Sequence, residues 1–182
     1  KRRGHIVALA PLIERLVAVK RVHPHLVSDP DVYAMVSDEA RIAALLRHPN
    51  VVPVVDVLDK SGELLLILEY VDGFALSALL RAGKGARGGS ALPPALASRI
   101  AIDALRGLHA AHSARDLFGE PLELVHRDVS PQNLLVGSDG MTRIIDFGIA
   151  RAKGNVQLTA TGDVKGKVAY MAPERVESRD VD

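Results

Sequence analysis

The chain has 182 residues, 48% of them hydrophobic and 25% charged; this is the composition of a globular domain and excludes a disordered or fibrous class. A net charge of +1 offers no electrostatic case for nucleic acid or an anionic membrane as partner, and the absence of cysteine excludes disulfides, thiol catalysis and cysteine-bound zinc and fits a reducing, cytoplasmic setting. The longest apolar runs, Ile6–Ile13 (broken by Pro11) and Leu64–Leu68, fall far short of the ~20 residues of a membrane helix, so no span is expected within the chain.

Lys1-Arg2-Arg3 precedes only a short, proline-broken apolar stretch without a small-residue cleavage site, which does not make a signal peptide; a start at Lys1 reads as a piece of a longer protein. Leu16 to Val22 is Val-rich with period two, predicting a strand. A helix follows, capped by Ser28 or Asp29, with Pro30 in its first turn and an apolar face of Val32, Met35, Val36, Ala43 and Leu46. Glu39 falls on that face. A carboxylate there loses hydration and needs a cation, and Lys20, closing Val17-Ala18-Val19-Lys20, is the candidate. Taken singly, either residue is more often a solvated surface charge.

Two further strands are expected at Val51–Leu58 and Glu63–Leu68, joined by a turn at Asp59-Lys60-Ser61-Gly62. Glu69-Tyr70-Val71-Asp72-Gly73 then divides a strand-dominated part from a helical one and reads as a hinge. Beyond it come a short helix around Leu76–Arg81, a Gly-rich loop from Gly83 to Ser90, and a helix opening at Pro93-Pro94. Leu96, Ile100, Ala104, Leu105, Leu108 and Ala111 recur at helical spacing along it and predict one buried stripe. No internal repeat of 20 to 50 residues is present.

The most informative stretch is His126-Arg127-Asp128-Val129-Ser130-Pro131-Gln132-Asn133. Asp146-Phe147-Gly148 begins 18 residues after Asp128, and Ala172-Pro173-Glu174 follows. In order, these match H-R-D, four residues, N, then D-F-G and A-P-E; with Val17–Lys20 they resemble the eukaryotic-like serine/threonine protein kinases of the bacterial kind. The resemblance runs from about Leu16 to the C-terminus. It implies an α+β, two-lobed kinase fold, with residues 1–68 a partial, β-rich N-lobe, 69–73 the hinge, and 74–182 a partial C-lobe through the activation segment.

The same resemblance implies transfer of the γ-phosphate of ATP, with Mg, to a serine or threonine of a protein substrate. Phosphoryl transfer leaves the protein to align groups and neutralise charge. Asp128 would accept or orient the substrate hydroxyl's proton, Asn133 and Asp146 would bind Mg, and Lys20, fixed by Glu39, would hold the α- and β-phosphates. Hinge backbone at Glu69 and Val71 would meet the adenine edge, Ala18 and Leu135 would sandwich the ring, and Leu68 would be the gatekeeper. Phe147 and His126 would stack between the lobes, and Gly148 would let the chain turn away. Phosphate on Thr159 or Thr161 would pair with Arg127.

The chain also departs from the family pattern. Gly4 is the single glycine before Lys20, so the phosphate-cradling G-x-G-x-x-G loop is missing; Ser130 stands where a lysine is usual, and Lys167 where a threonine is usual. Family members continue with further helices, so the Leu96–Ala111 helix and the Tyr170–Val176 segment are expected to expose apolar surface in these residues alone. Two other readings stand beside the kinase. A pseudokinase scaffold is favoured by the lost loop and opposed by the complete set of Lys20, Glu39, Asp128, Asn133 and Asp146. A small-molecule phosphotransferase is opposed by Val17–Lys20 and Ala172–Glu174.

Overall fold

The structure is a computed structural model and describes residues 15–22, 30–60, 63–85, 92–147 and 170. The first sheet consists of β1 (Val17–Arg21), β2 (Val54–Lys60) and β3 (Glu63–Glu69), antiparallel in the order β1-β3-β2. The apolar run of β3 suits a central strand, and Leu64, Leu66 and Ile67 are all buried. In this register Ala18 lies opposite Leu68 and Lys20 opposite Leu66. Helix α1 (Pro30–Leu45) covers the sheet, packing Val36, Ala40 and Ala43 against Val22, Val54, Leu64 and Leu66.

A second antiparallel sheet orders β4 (Gly73–Ala75), β5 (Leu134–Gly137) and β6 (Thr142–Ile144) consecutively. Helix α2 (Leu76–Gly85) follows β4 directly, and α3 (Pro94–His112) packs on β6. Pro94 suits the first turn of α3, where its missing N–H costs nothing. The second core joins Ile100, Ala104 and Ala111 of α3 to Leu76, Leu134, Ile144 and Phe147, and also takes Leu46 and Val51 from the segment between α1 and β2. That segment lies along β6: Val51 bridges Ile144, Val52 N–H donates to Ile144 O at 2.9 Å, and Ile144 N–H donates to Asn50 O at 2.8 Å. The two halves are therefore tied here as well as through residues 69–73.

Several boundaries differ from expectation. Asp59 and Lys60 remain in β2, with Lys60 paired to Glu63, while Ser61 and Gly62 lie outside the described residues. Val51 precedes the strand, because its backbone is drawn to β6. Helix α2 runs past Arg81 through Gly83 to Gly85, and the rest of the predicted Gly-rich loop, to Ser90, lies outside the described residues. The stripe on α3 is corrected too. Its buried residues are Ile100, Asp103, Ala104, Gly107 and Ala111, whereas Leu96 and Leu105 are 44% and 64% exposed. The helix comes too close to its neighbour for large residues: a Cβ on Gly107 would meet Asn50 O at 2.6 Å and Ile144 Cδ1 at 2.9 Å. No helix among the described residues is long and apolar enough to cross a membrane.

Candidate active site

Ile144 is fully buried at the end of β6 and sends the chain out of the core at a fixed point. Ile145 then acts through its backbone alone. Its N–H donates to Asn133 O at 3.0 Å, and its carbonyl lies 3.0 Å from His126 Nε2. These two bonds tie the segment after β6 to the loop before β5. Asp146 follows with φ 61°, and Arg127 has φ 57°. Left-handed backbone at non-glycine residues costs on the order of 1–2 kcal/mol each, so the surrounding contacts must impose it.

His126 is 1% exposed. Its Nδ1 accepts the Asp128 N–H at 3.2 Å, which leaves Nε2 as the protonated nitrogen donating to Ile145 O. Burial pushes its pKa below the usual imidazole value, against smaller opposing effects from Ile145 and from the Asp128 and Asp146 carboxylates. The ring is neutral and structural, and lies 4.9 Å from the Phe147 ring at 56°. The expected His126–Phe147 contact is present, tilted rather than parallel.

Asn133, 3% exposed, closes the loop on itself. Its N–H donates to Ser130 O at 2.8 Å, and its Nδ2 donates to Asp128 O at 2.8 Å and Asp128 Oδ2 at 3.1 Å. With the amide nitrogen committed, the other side-chain atom of Asn133 is an oxygen, the donor a hard cation takes. Across the cleft, Lys20 Nζ reaches from β1 to Asp146 Oδ1 at 2.8 Å, with side chains 35% and 17% exposed. The arrangement brings an ammonium, two carboxylates and an amide oxygen together from both halves of the chain. No cluster of three or more His, Cys, Asp or Glu that could hold a metal stands among the described residues.

Glu39 lies in α1, but its side chain is outside the described residues; among the described residues Asp146 supplies a carboxylate to the Lys20 ammonium. Ala18 in β1 and Leu135 in β5 are half-buried, on different sheets either side of residues 69–73. The Glu69 N–H donates to Pro53 O at 3.0 Å, and Val71 is half-buried. Gly4, Gly148, Thr159, Thr161, Lys167 and Ala172–Glu174 lie outside the described residues. Ser130 is 4% exposed and its Oγ has no hydrogen-bond partner among them.

Sequence reasoning missed Ile145, whose contribution is all backbone, and Asp103. The latter is 1% exposed, and its Oδ2 accepts the Thr142 N–H at 3.1 Å and the Arg99 Nε–H at 3.1 Å, anchoring β6 to α3. A carboxylate among Ile100, Ala104 and Gly107 was the available signal.

Comparison with known proteins gives one family. The description "protein kinase domain" matches residues 7–182. A tyrosine-protein kinase, MasK of Myxococcus xanthus, is 44% identical over 169 residues, covering 93% of this chain and 26% of the relative. The serine/threonine-protein kinase PknE of Mycobacterium bovis is 39% identical over 162 residues, covering 89% and 26%. The chain thus spans about a quarter of the length of these curated relatives. The crystal structure of the Mycobacterium tuberculosis PknI kinase domain superposes with a TM-score of 0.69 at 25% identity, covering 96% of this chain and 58% of that one.

Proposed function

Since the chain belongs to the protein kinase domain family, we propose that it forms part of an ATP-dependent protein serine/threonine kinase, with Asp128 as the base and Asn133 and Asp146 as the Mg ligands. The observation that supports this reading is the 2.8 Å contact of Lys20 with Asp146, an ammonium from the first sheet beside the carboxylate that follows β6. Bound Mg would neutralise the phosphate oxygens. Asp146 and the Asn133 amide would hold it, Lys20 would hold the α- and β-phosphates, and Asp128 would be presented to a hydroxyl. Glu39 would steady Lys20; Glu69, Val71, Ala18 and Leu135 would line the adenine site. Residues 1–68, 69–73 and 74–182 would serve as partial N-lobe, hinge and partial C-lobe, and the setting would be cytoplasmic.

A second acceptor is favoured by Ser130, which stands in place of the usual lysine, and by the tyrosine-protein kinase among the relatives. The test is phosphate transfer from radiolabelled ATP by the full-length polypeptide to serine/threonine and tyrosine peptides. Asp128→Asn and Asp146→Asn should each lower turnover at least ~10²-fold with folding intact. Wild-type rates in either folded variant would remove that residue from the site.

A further inference from the structure

A cavity of about 350 Å³ lies against the hinge, within the size range of small-ligand sites. Three parts of the chain wall it: His48 to Pro53 ahead of β2, Glu69 to Asp72, and the β5–β6 turn with Arg143. It shares Glu69 and Val71 with the proposed nucleotide site, but Lys20, Ala18, Asp128, Asn133, Leu135 and Asp146 take no part in its lining. Its lining therefore overlaps the proposed nucleotide site at the hinge and extends away from the residues proposed for phosphate and Mg.

Glu69, Asp72 and Asp139 are the acidic residues of the lining, and Arg143 and His48 the basic ones. Arg143 is already bound to Asp139 by two hydrogen bonds of 3.1 and 2.6 Å, which hold the Asp139 carboxyl down at about 2, and Glu69 is met by Arg15 at 3.1 Å. The Asp72 carboxylate has no ion-pair partner among the described residues; only its backbone oxygen is used, by Ser138 N–H at 2.8 Å. Pro49, Pro53 and Val71 supply apolar wall, and Tyr70, 42% exposed, belongs to the same lining.

We propose that this cavity is a docking site for an arginine side chain of a basic protein segment, its stem lying on Pro49, Pro53 and Val71, its guanidinium meeting Asp72 and the face of Tyr70. Planar guanidinium suits both a carboxylate and an aromatic face, and its weak hydration lowers the cost of entering a half-apolar pocket. A phosphate-bearing ligand is disfavoured, because the one lining guanidinium is committed to Asp139.

The test measures fluorescence anisotropy of the labelled pentapeptide Ala-Arg-Ala-Arg-Ala against the full-length polypeptide, with Ala-Gln-Ala-Gln-Ala as control. Saturable binding of the arginine peptide alone is expected. Asp72→Lys should weaken it at least tenfold and Asp72→Asn by a smaller factor, while Asp38→Lys, the same charge change at an exposed position of α1, should leave it unmoved. Equal loss in Asp38→Lys and Asp72→Lys, or equal binding of the two peptides, would overturn the site. Adenine-nucleotide affinity measured on the same samples reports on the kinase reading separately.

Discussion

His126 satisfies both its ring nitrogens only while one of them carries no proton, because Nδ1 must accept from the Asp128 N–H. Protonation would turn that acceptor into a second donor facing an N–H. Its folded pKa lies below the ordinary 6.5, so the unfolded chain takes up the proton first as pH falls. Stability from this group is fully present above about 6.5, declines as pH drops from there through the folded pKa, and is level below both. Urea midpoints at pH 7.5 and 5.5 should therefore differ more in the wild type than in His126→Gln; equal differences would remove the ring from the account. Asp103→Ala leaves the Thr142 N–H without its acceptor in a buried site, and should cost about 1–3 kcal/mol in the same assay. At this scale the sequence reveals residues through their motifs: Lys20, Asp128, Asn133 and Asp146, the residues proposed for the chemistry, stand at fixed spacing. Ile145 left no such trace, since any residue with an N–H and a carbonyl presents the same backbone atoms.

The elements that were legible are the long ones. Strand β3 has a run of apolar residues bounded by polar ones, and α3 opens on two prolines and runs for 19 residues. Strands β4 to β6 have three or four residues each, too few for a period to declare itself, and they escaped notice although β5 and β6 flank the His126–Asn133 loop and Asp146. The contact face of α3 was read in part: Ile100, Ala104 and Ala111 of the expected stripe are buried, whereas Leu96 and Leu105 are exposed. Close packing beside the Asn50–Val51 segment takes Gly107 and the small Ala104 and Ala111, and leaves the bulkier Leu105 outside. Gly107→Ala tests this. Helix propensity alone favours the alanine by about 1 kcal/mol, yet its methyl would sit 2.6 Å from the Asn50 carbonyl, which is backbone and bonded to Ile144 N–H. The variant should lose about 1–3 kcal/mol to overpacking. A rise in melting temperature would mean that the helix has room to move.

Across the molecule, the outward side of α3 exposes Leu105 at 64% and Ile102 at 46%, and the loop after it exposes Leu117 and Phe118 at 95% and 91%. Singly exposed apolar residues are ordinary, but adjacent ones on a rigid helix make a patch that water disfavours. Residues 1–182 expressed alone should associate as concentration rises. The double change Ile102→Lys with Leu105→Glu should restore a monomer on size-exclusion chromatography with light scattering, and an unchanged profile would place the contact elsewhere. The loop's own tip is well held: Asp116 Oδ1 accepts the N–H groups of Phe118 and Glu120 at 2.8 and 2.9 Å, and Leu122 N–H bonds to Ala114 O at 2.9 Å.

The segment from His126 to Asn133 belongs to no helix or strand, yet its Asp128 N–H is held by an imidazole, its Asn133 N–H by Ser130, and the Ile145 N–H by Asn133. Irregular backbone ordinarily exchanges its amide hydrogens with solvent in the fastest class. In this loop those three amides should exchange as slowly as the central positions of β3. Deuterium labelling would thus outline the candidate active site as an island of protection inside what looks like loop, and breaking the web with His126→Ala, which removes the acceptor of the Asp128 N–H and the donor to the Ile145 carbonyl, should release the Asp128 amide while β3 stays protected.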